Sequence, residues 1–411
     1  MDDLTNHDFY VLYSCNSLIQ PLIMQIVVAP DSFKECLSAT KVADAICEGI
    51  KRIMPQATII SIPVADGGEG TIDALVKATN GKIISAPSVD ALNRPISSFY
   101  GVLGDKQTAV IEMAAASGIE LLSPDERNPL FTSTYGTGLL IKAALEAGYT
   151  KIVVAIGGSA TNDGGMGMAQ ALGAGLYDSK GEKLSPGGAS LSKIHSIDIS
   201  AIHPLLAKAE ITVACDVRNP LLGPSGATYV FGPQKGATPE MLVRLEEGMA
   251  HYAAILEKKF NKQVSTCEGA GAAGGLGAAL MTFCKARMVP GFKLVSGLTR
   301  LEEHISHANL VFTAEGKIDS QTAFGKTVSG VARLAQKHKV PAIALGAIIS
   351  DDLTELYLQG ITAAFSIVNG PITLEESKAQ AFSLLSNRTE QIIRIIKQTA
   401  HPSPGFNISI E

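Results

Sequence analysis

The stretch 25-QIVVAPDSFKECLSATKVADAICEGIKRIMPQATIISIPV-64 decides the fold. QIVVAP (25–30) is a short β-branched run with no polar face, which is the pattern of a strand covered on both sides. From about Ser38 to Met54 the apolar residues recur at helical spacing, and Ser38 stands where an N-cap belongs. TIISIPV (58–64) returns to the first pattern. A strand, a helix and a second strand of this kind form a right-handed βαβ unit on a parallel sheet.

The same grammar extends outward. KIVVAI (151–156), ITVACD (211–216), LVFTAE (310–315), PAIALG (341–346) and ITAAFSIV (361–368) are further predicted strands, and helical periods run over 134–147, 163–173, 238–258, 271–286, 326–338 and 373–399. The 411 residues exceed the ~250–300 at which one hydrophobic core stops growing, so two domains are expected. Both ends read as simple βα repeats, whereas the middle carries irregular Gly- and Pro-rich connections. The expected architecture is therefore α/β with two domains. Residues 24–80 plus 286–400 form a Rossmann-like parallel-sheet domain, 81–285 form an inserted α/β domain, and the active site lies in the cleft between them. Residues 401–411 read as a tail. Residues 1–23 read as a disordered extension or a start assigned upstream of Met24.

Composition excludes several classes. Lys and Arg number 34 against 39 Asp and Glu, and a net charge of −5 gives no attraction to nucleic acid or anionic lipid. The extension has acidic residues where an export signal carries basic ones, and no segment offers the ~20 apolar residues of a membrane span. Six cysteines without CxxC or Cys/His spacing build neither a disulfide framework nor a zinc site. A cytoplasmic location is the expectation, and a homodimer is left open.

Four strand-to-helix turns carry the polar chemistry, at the strand ends where open α/β sheets bind ligands. APDSFKECLSA (29–39) sets Asp31, Ser32 and Lys34 directly after a strand. PVADGGEGT (63–71) places Asp66 and Glu69 among Gly67, Gly68 and Gly70 at a helix start; acidic residues there can also be mere dipole partners. AIGGSATNDGGMGMAQALG (155–173) offers Gly157, Gly158, Ser159 and Thr161 as a nest for phosphate, followed by Asp163. FTAEGKIDSQTAFGKT (312–327) brings Glu315, Lys317, Asp319 and Lys326 into one loop, combining the carboxylates and cations that phosphoryl transfer needs. Its GKT lacks P-loop spacing. Asp216 ends ITVACD as a candidate for substrate or metal contact. GAGAAG (269–274) fits GxGxxG, but it follows no convincing strand and reads better as close helix packing than as an NAD site.

Read together, APDSFKECLSA, PVADGGEGT, GGSATNDGGMGMAQALG, CDVRNPLLGPSGA (215–227) and EGKIDSQTAFGKT resemble, in order and spacing, the bacterial glycerate kinases that form 2-phosphoglycerate. The resemblance runs from Met24 to about Gln398. It implies a two-domain α/β fold unrelated to the P-loop kinases, with ATP, Mg²⁺ and D-glycerate meeting in the cleft. On that basis Lys34, with Ser32, is expected to hold the glycerate carboxylate or the transferring phosphoryl group. Asp66, Glu69 and Asp216 would line the substrate site. Asp163 and Asp319 would orient the acceptor hydroxyl or carry Mg²⁺, the division between them being open. The backbone of 157–161, with Glu315, Lys317 and Lys326, would hold the nucleotide. Two departures stand out: Glu35 and Cys36 occupy places where the family has Gly and a small residue, and Ala314 replaces the Gly of TGEG. The rival expectations are an NAD-dependent dehydrogenase using GAGAAG and a non-catalytic binder of sugar phosphates.

Overall fold

The first strand sits at the heart of a sheet built from both halves of the chain. In the computed structural model, which describes residues 24–65, 67, 68, 70–324 and 327–399, β1 (Gln25–Val28) pairs in parallel with β2 (Thr58–Ser61) and with β11 (Leu310–Ala314). β13 (Ala342–Gly346) and β15 (Ile361–Ser366) continue the sheet, giving the all-parallel order β15-β13-β11-β1-β2. β11 and β13 are buried at every residue, as strands with no polar face must be. The helix Ala39–Ile53 covers one side, and Ser38 caps it by accepting from the Lys41 amide at 3.3 Å. The long helix Leu374–Thr399 crosses it so closely that a Cβ on Gly49 would lie 2.3 Å from Ser386 O.

The middle of the chain forms a six-stranded sheet in the order β10-β9-β6-β5-β4-β3. Here β5 (Thr108–Glu112), β6 (Lys151–Ala155), β9 (Glu210–Ala214) and β10 (Arg287–Val289) run parallel. The hairpin of β3 (Lys82–Val89) and β4 (Pro95–Val102) adds an antiparallel edge. The predicted strands do not include that edge, because β3 and the first part of β4 alternate between buried and exposed residues and so present no long apolar run. β10 keeps the chain in this sheet as far as Val289, past the expected return at 286. Two small ribbons complete the strands, β7 (Gly175–Tyr177) with β8 (Ser196–Asp198) and β12 (Lys317–Ile318) with β14 (Ile348–Ile349).

The two sheets share a helical layer. One continuous core joins Val27, Val311 and Ala344 of the first sheet to Val110 and Val153 of the second. Ile72 and Leu75 of the helix Thr71–Thr79 and Val295 of the helix Gly291–Leu298 bridge them. Because Gly101 has no side chain, Ile72 and Val76 can press onto β4; a Cβ there would lie 2.9 Å from Val76 Cγ2. Among the described residues no helix is long and apolar enough to cross a membrane.

Leu75 is wholly buried in that shared layer. Leu75→Ala is therefore expected to lower unfolding free energy by ~2–5 kcal/mol in a denaturant titration. A loss under ~1 kcal/mol would show that the helix is not a common support.

Candidate functional site

Immediately after β1 the chain makes a tight loop: the Phe33 amide donates to Leu37 O and the Cys36 amide to Phe33 O, both at 2.9 Å. Phe33 is buried, while Lys34 and Glu35 project outward. This loop is the common wall of two cavities. The larger, about 1110 Å³, is mostly apolar and is lined by Ile348, Ile349, Ile367, Val368 and Leu374, with Lys34, Glu315, Lys317 and Lys378 at its polar side. The smaller, about 790 Å³, is lined by Gly67, Gly68, Gly157, Gly158, Glu112 and Asp216, again with Lys34. Asp31 and Ser32 line both.

Glu35 has φ +58°, a left-handed conformation that costs a side-chain-bearing residue ~1–2 kcal/mol. This is the place where the resembled family carries Gly. In compensation the Glu35 carboxylate pairs with Lys378 at 3.1 Å, and Cys36 Sγ donates to Lys378 O at 3.4 Å. The loop is thus tied to the first turns of Leu374–Thr399, which wall the apolar cavity. The other departure, Ala314, ends β11 fully buried.

In the polar cavity the glycines have a specific job. Gly67 (φ +91°) approaches Ala214 so closely that a Cβ would lie 2.9 Å from the Ala214 methyl, and a Cβ on Gly157 would lie 2.6 Å from Gly68 Cα. The Gly157 amide donates to Gly67 O at 3.2 Å. The loops after β2, β6 and β9 therefore abut backbone to backbone, and any side chain would push them apart. Gly158 (φ +72°) is exposed and has only the Ala114 methyl, 3.3 Å away, near a Cβ, so its backbone faces the cavity.

Two expected catalytic carboxylates are placed elsewhere. Asp163 is fully buried and lines neither cavity. Its Oδ2 accepts from Thr134 N at 2.8 Å, Thr134 Oγ1 at 2.9 Å and Gly167 N at 3.1 Å, and its Oδ1 accepts from Gly165 N at 3.1 Å. Burial raises its pKa, and these hydrogen bonds oppose the rise. Asp163 joins the turn before Tyr135–Glu146 to the turn before Met166–Ala171, a structural tie in place of the open carboxylate expected to orient substrate or carry Mg²⁺. Asp319 turns into its own loop: Oδ1 accepts from Gln321 N at 2.9 Å, and Oδ2 pairs with Lys317 at 2.9 Å. The Lys317 hydrogen bond holds its carboxyl below the usual range. It positions a lysine of the apolar cavity and is not itself among the lining residues. Asp66, Glu69 and Lys326 lie outside the described residues.

Of the remaining candidates, Ser32, Lys34, Glu315 and Lys317 come together around the apolar cavity, and Gly157, Gly158 and Asp216 around the polar one. Asp216 Oδ1 accepts from Gly291 N at 3.0 Å. Ser159 and Thr161 stand behind the cavity wall, where Lys235 Nζ donates to Ser159 Oγ and to Thr161 O. Sequence reasoning passed over Lys235, although its flanks, GPQKG (232–236), mark a tight turn. It also passed over Glu112, which lines the polar cavity and accepts from the Ile72 amide near the start of Thr71–Thr79. GAGAAG is packing: a Cβ on Gly271 would lie 2.1 Å from Pro220 O, and one on Gly274 1.9 Å from Thr161 O. No strand leads into it. Among the described residues there is no cluster of three or more His, Cys, Asp or Glu placed to hold a metal.

An apolar chamber and a polar chamber thus meet at a lysine-bearing loop of an α/β fold. Comparison with known proteins gives the family. The glycerate kinase family model matches residues 26–397. The chain is 49% identical to the glycerate kinase of Bacillus subtilis (strain 168), covering 91% of this chain and 98% of that protein. It is 47% identical to the glycerate 2-kinase of Escherichia coli (strain K12), covering 90% and 97%. The crystal structure of a putative glycerate kinase 2 from Salmonella typhimurium LT2 superposes with a TM-score of 0.83 at 44% identity, covering 92% and 99%. The chain belongs to the glycerate kinase family.

Two outcomes follow from the site. Asp163→Ala strands four buried donors and is expected to cost on the order of 3 kcal/mol or more, read as a large drop in melting temperature; an unchanged melting temperature would restore Asp163 as a functional group. Glu35→Gly removes the left-handed strain and an exposed ion pair worth ~0–1 kcal/mol, so chemical denaturation should show stability equal to or above the parent. A loss beyond ~1 kcal/mol would mean the Lys378 tie outweighs the strain.

Proposed function

We propose that this enzyme transfers the terminal phosphoryl group of ATP to the 2-hydroxyl of D-glycerate, giving 2-phospho-D-glycerate and ADP. The observation that carries the reading is the loop Asp31–Leu37 between two cavities of different size and polarity. Such a pair suits a purine nucleoside on one side and a three-carbon hydroxy acid on the other. The apolar walls at Ile348, Val368 and Leu374 take the base, and Lys317 and Lys378 offer charge to the phosphate tail. D-glycerate enters the polar cavity, with Asp216 facing its hydroxyl. Lys34, the shared cation, stands where the transferring group passes and offsets the charge on its oxygens. The acceptor oxygen forms the new bond to the γ-phosphorus, the bond to the β–γ bridging oxygen breaks, and a carboxylate receives the hydroxyl proton.

Mg²⁺ binds through one or two carboxylates together with substrate phosphates, and seldom through a full protein cage. The residues present fit that demand: Asp31 on the shared wall and Glu315 in the apolar cavity would hold it, and the ion would neutralise charge on the phosphates. Residues 157–158 belong, on this reading, to the acceptor side and not to the nucleotide, a reassignment from the sequence-based expectation. The five described cysteines are free thiols, which suits a reducing cytoplasm.

Phosphorus NMR of the product of D-glycerate and ATP tests the reaction. A phosphorus coupled to one proton identifies the 2-phosphate; coupling to two protons, or no ATP consumption, overturns the proposal. Lys34→Ala should lower kcat by ~10²–10³-fold, and chelation of divalent cations should abolish turnover.

A further inference from the structure

The wall of the polar cavity rests on a buried cation. Lys235 is 1% exposed, and its Nζ donates to Ser159 Oγ at 2.8 Å and to Thr161 O at 2.7 Å. These two acceptors follow directly on Gly157 and Gly158, which line the cavity. The turn that delivers the lysine is built for it. Pro233–Lys235 is a short 3₁₀ turn, and Gly236 (φ +89°) comes so near Arg127 that a Cβ would lie 2.1 Å from Arg127 O. The charged group electrostatically coupled to Lys235 is Asp163, which is already occupied by four donors of its own.

Taking an ammonium out of water is costly, and an apolar side chain of equal length would fill the same space without that cost. The cavity supplies a reason to keep the charge. Among its described lining residues Lys34 is the one cation, against Asp31, Glu35, Asp73, Glu112, Glu120 and Asp216. A small anionic acceptor entering so acidic a chamber needs positive potential from somewhere else.

We propose that Lys235 is a positioning residue that grips Ser159 and Thr161, fixing the exposed backbone at Gly158 as the receptor for the acceptor's carboxylate and lending that wall its charge from behind. The inference rests on the proposed glycerate reaction and adds to it which end of the acid meets which wall. The acid's carboxylate faces Gly158 and its hydroxyl faces Asp216 and Lys34. Burial also depresses the lysine's pKa to about 7, a shift that the nearby Asp163 opposes. Hence the charge behind the wall is present below about pH 7 and is lost as pH rises through it.

The test is steady-state kinetics of purified full-length wild type, Lys235→Met and Lys235→Gln, with melting temperatures measured in parallel. Loss of charge-assisted hydrogen bonds should raise KM for D-glycerate at least about tenfold while KM for ATP changes less than about threefold. In wild type, KM for D-glycerate at saturating ATP should climb between pH 6 and 8 relative to Lys235→Met, which should lack that climb. A folded variant with unchanged KM for D-glycerate, or with both KM values raised alike, overturns the inference. Should both variants fail to fold, Ser159→Ala, at a partly exposed position, removes one of the two acceptors; it should raise KM for D-glycerate about threefold or more, and no change would overturn the idea. A wild-type enzyme inactive on D-glycerate overturns both this and the proposed function, whereas active wild type with kinetically silent variants overturns this inference alone.

Discussion

The active region depends on backbone touching backbone. Gly157 meets Gly68, and Gly67 meets Ala214, at separations that leave no room for a Cβ. These contacts join the loop after β2 of one sheet to the loops after β6 and β9 of the other. The Gly157 amide is spent on Gly67 O within the junction, which leaves the exposed backbone of Gly158 beside it to face a ligand. The shared layer around Ile72 and Leu75 sets the spacing of the sheets, and the glycines exploit that spacing at the strand ends.

Around this junction, charge is divided by depth. Lys34 reaches both cavities from a surface loop, Lys317 and Lys378 edge the apolar one, and Lys235 works from beneath the polar wall. The carboxylates divide similarly. Asp31, Glu315 and Asp216 line the cavities, Asp319 steers Lys317, and Asp163 ties two turns together without reaching any open space. Neighbouring positions in one motif can therefore hold groups of opposite purpose, one facing ligand and the next holding up the fold.

The sequence made most of the parallel strands legible because β1, β11 and β13 are buried on both faces and so consist of unbroken apolar runs, but the equally buried β5 and the short β10 were missed. It concealed β3 and β4, whose half-buried alternation is interrupted by Pro87 and by small polar residues. For the site, the turns were legible from their glycines and the loop 31–36 from its lysine, and these do converge. The burial of Asp163 was not legible, because a carboxylate among glycines looks the same in sequence whether its oxygens point at solvent or at four buried donors. Lys235 was invisible for the complementary reason: a lysine in a polar turn reads as solvated, and only the packing of Gly236 on Arg127 and the acceptors at Ser159 and Thr161 show that it points inward.

The first sheet also has a history written into its connectivity. Gln25 hydrogen-bonds to Asn309, 284 positions later, so β1 and β2 leave the ribosome long before the strand that must lie beside them exists. At ~5–20 residues per second the delay is roughly 15–60 s, during which β3 through β10 can complete the second sheet on their own. That earlier-formed body would offer the waiting βα unit the apolar face of its sheet at Val110 and Val153 to rest on. The middle of the chain would thus act as an internal scaffold for the assembly of its own flanks.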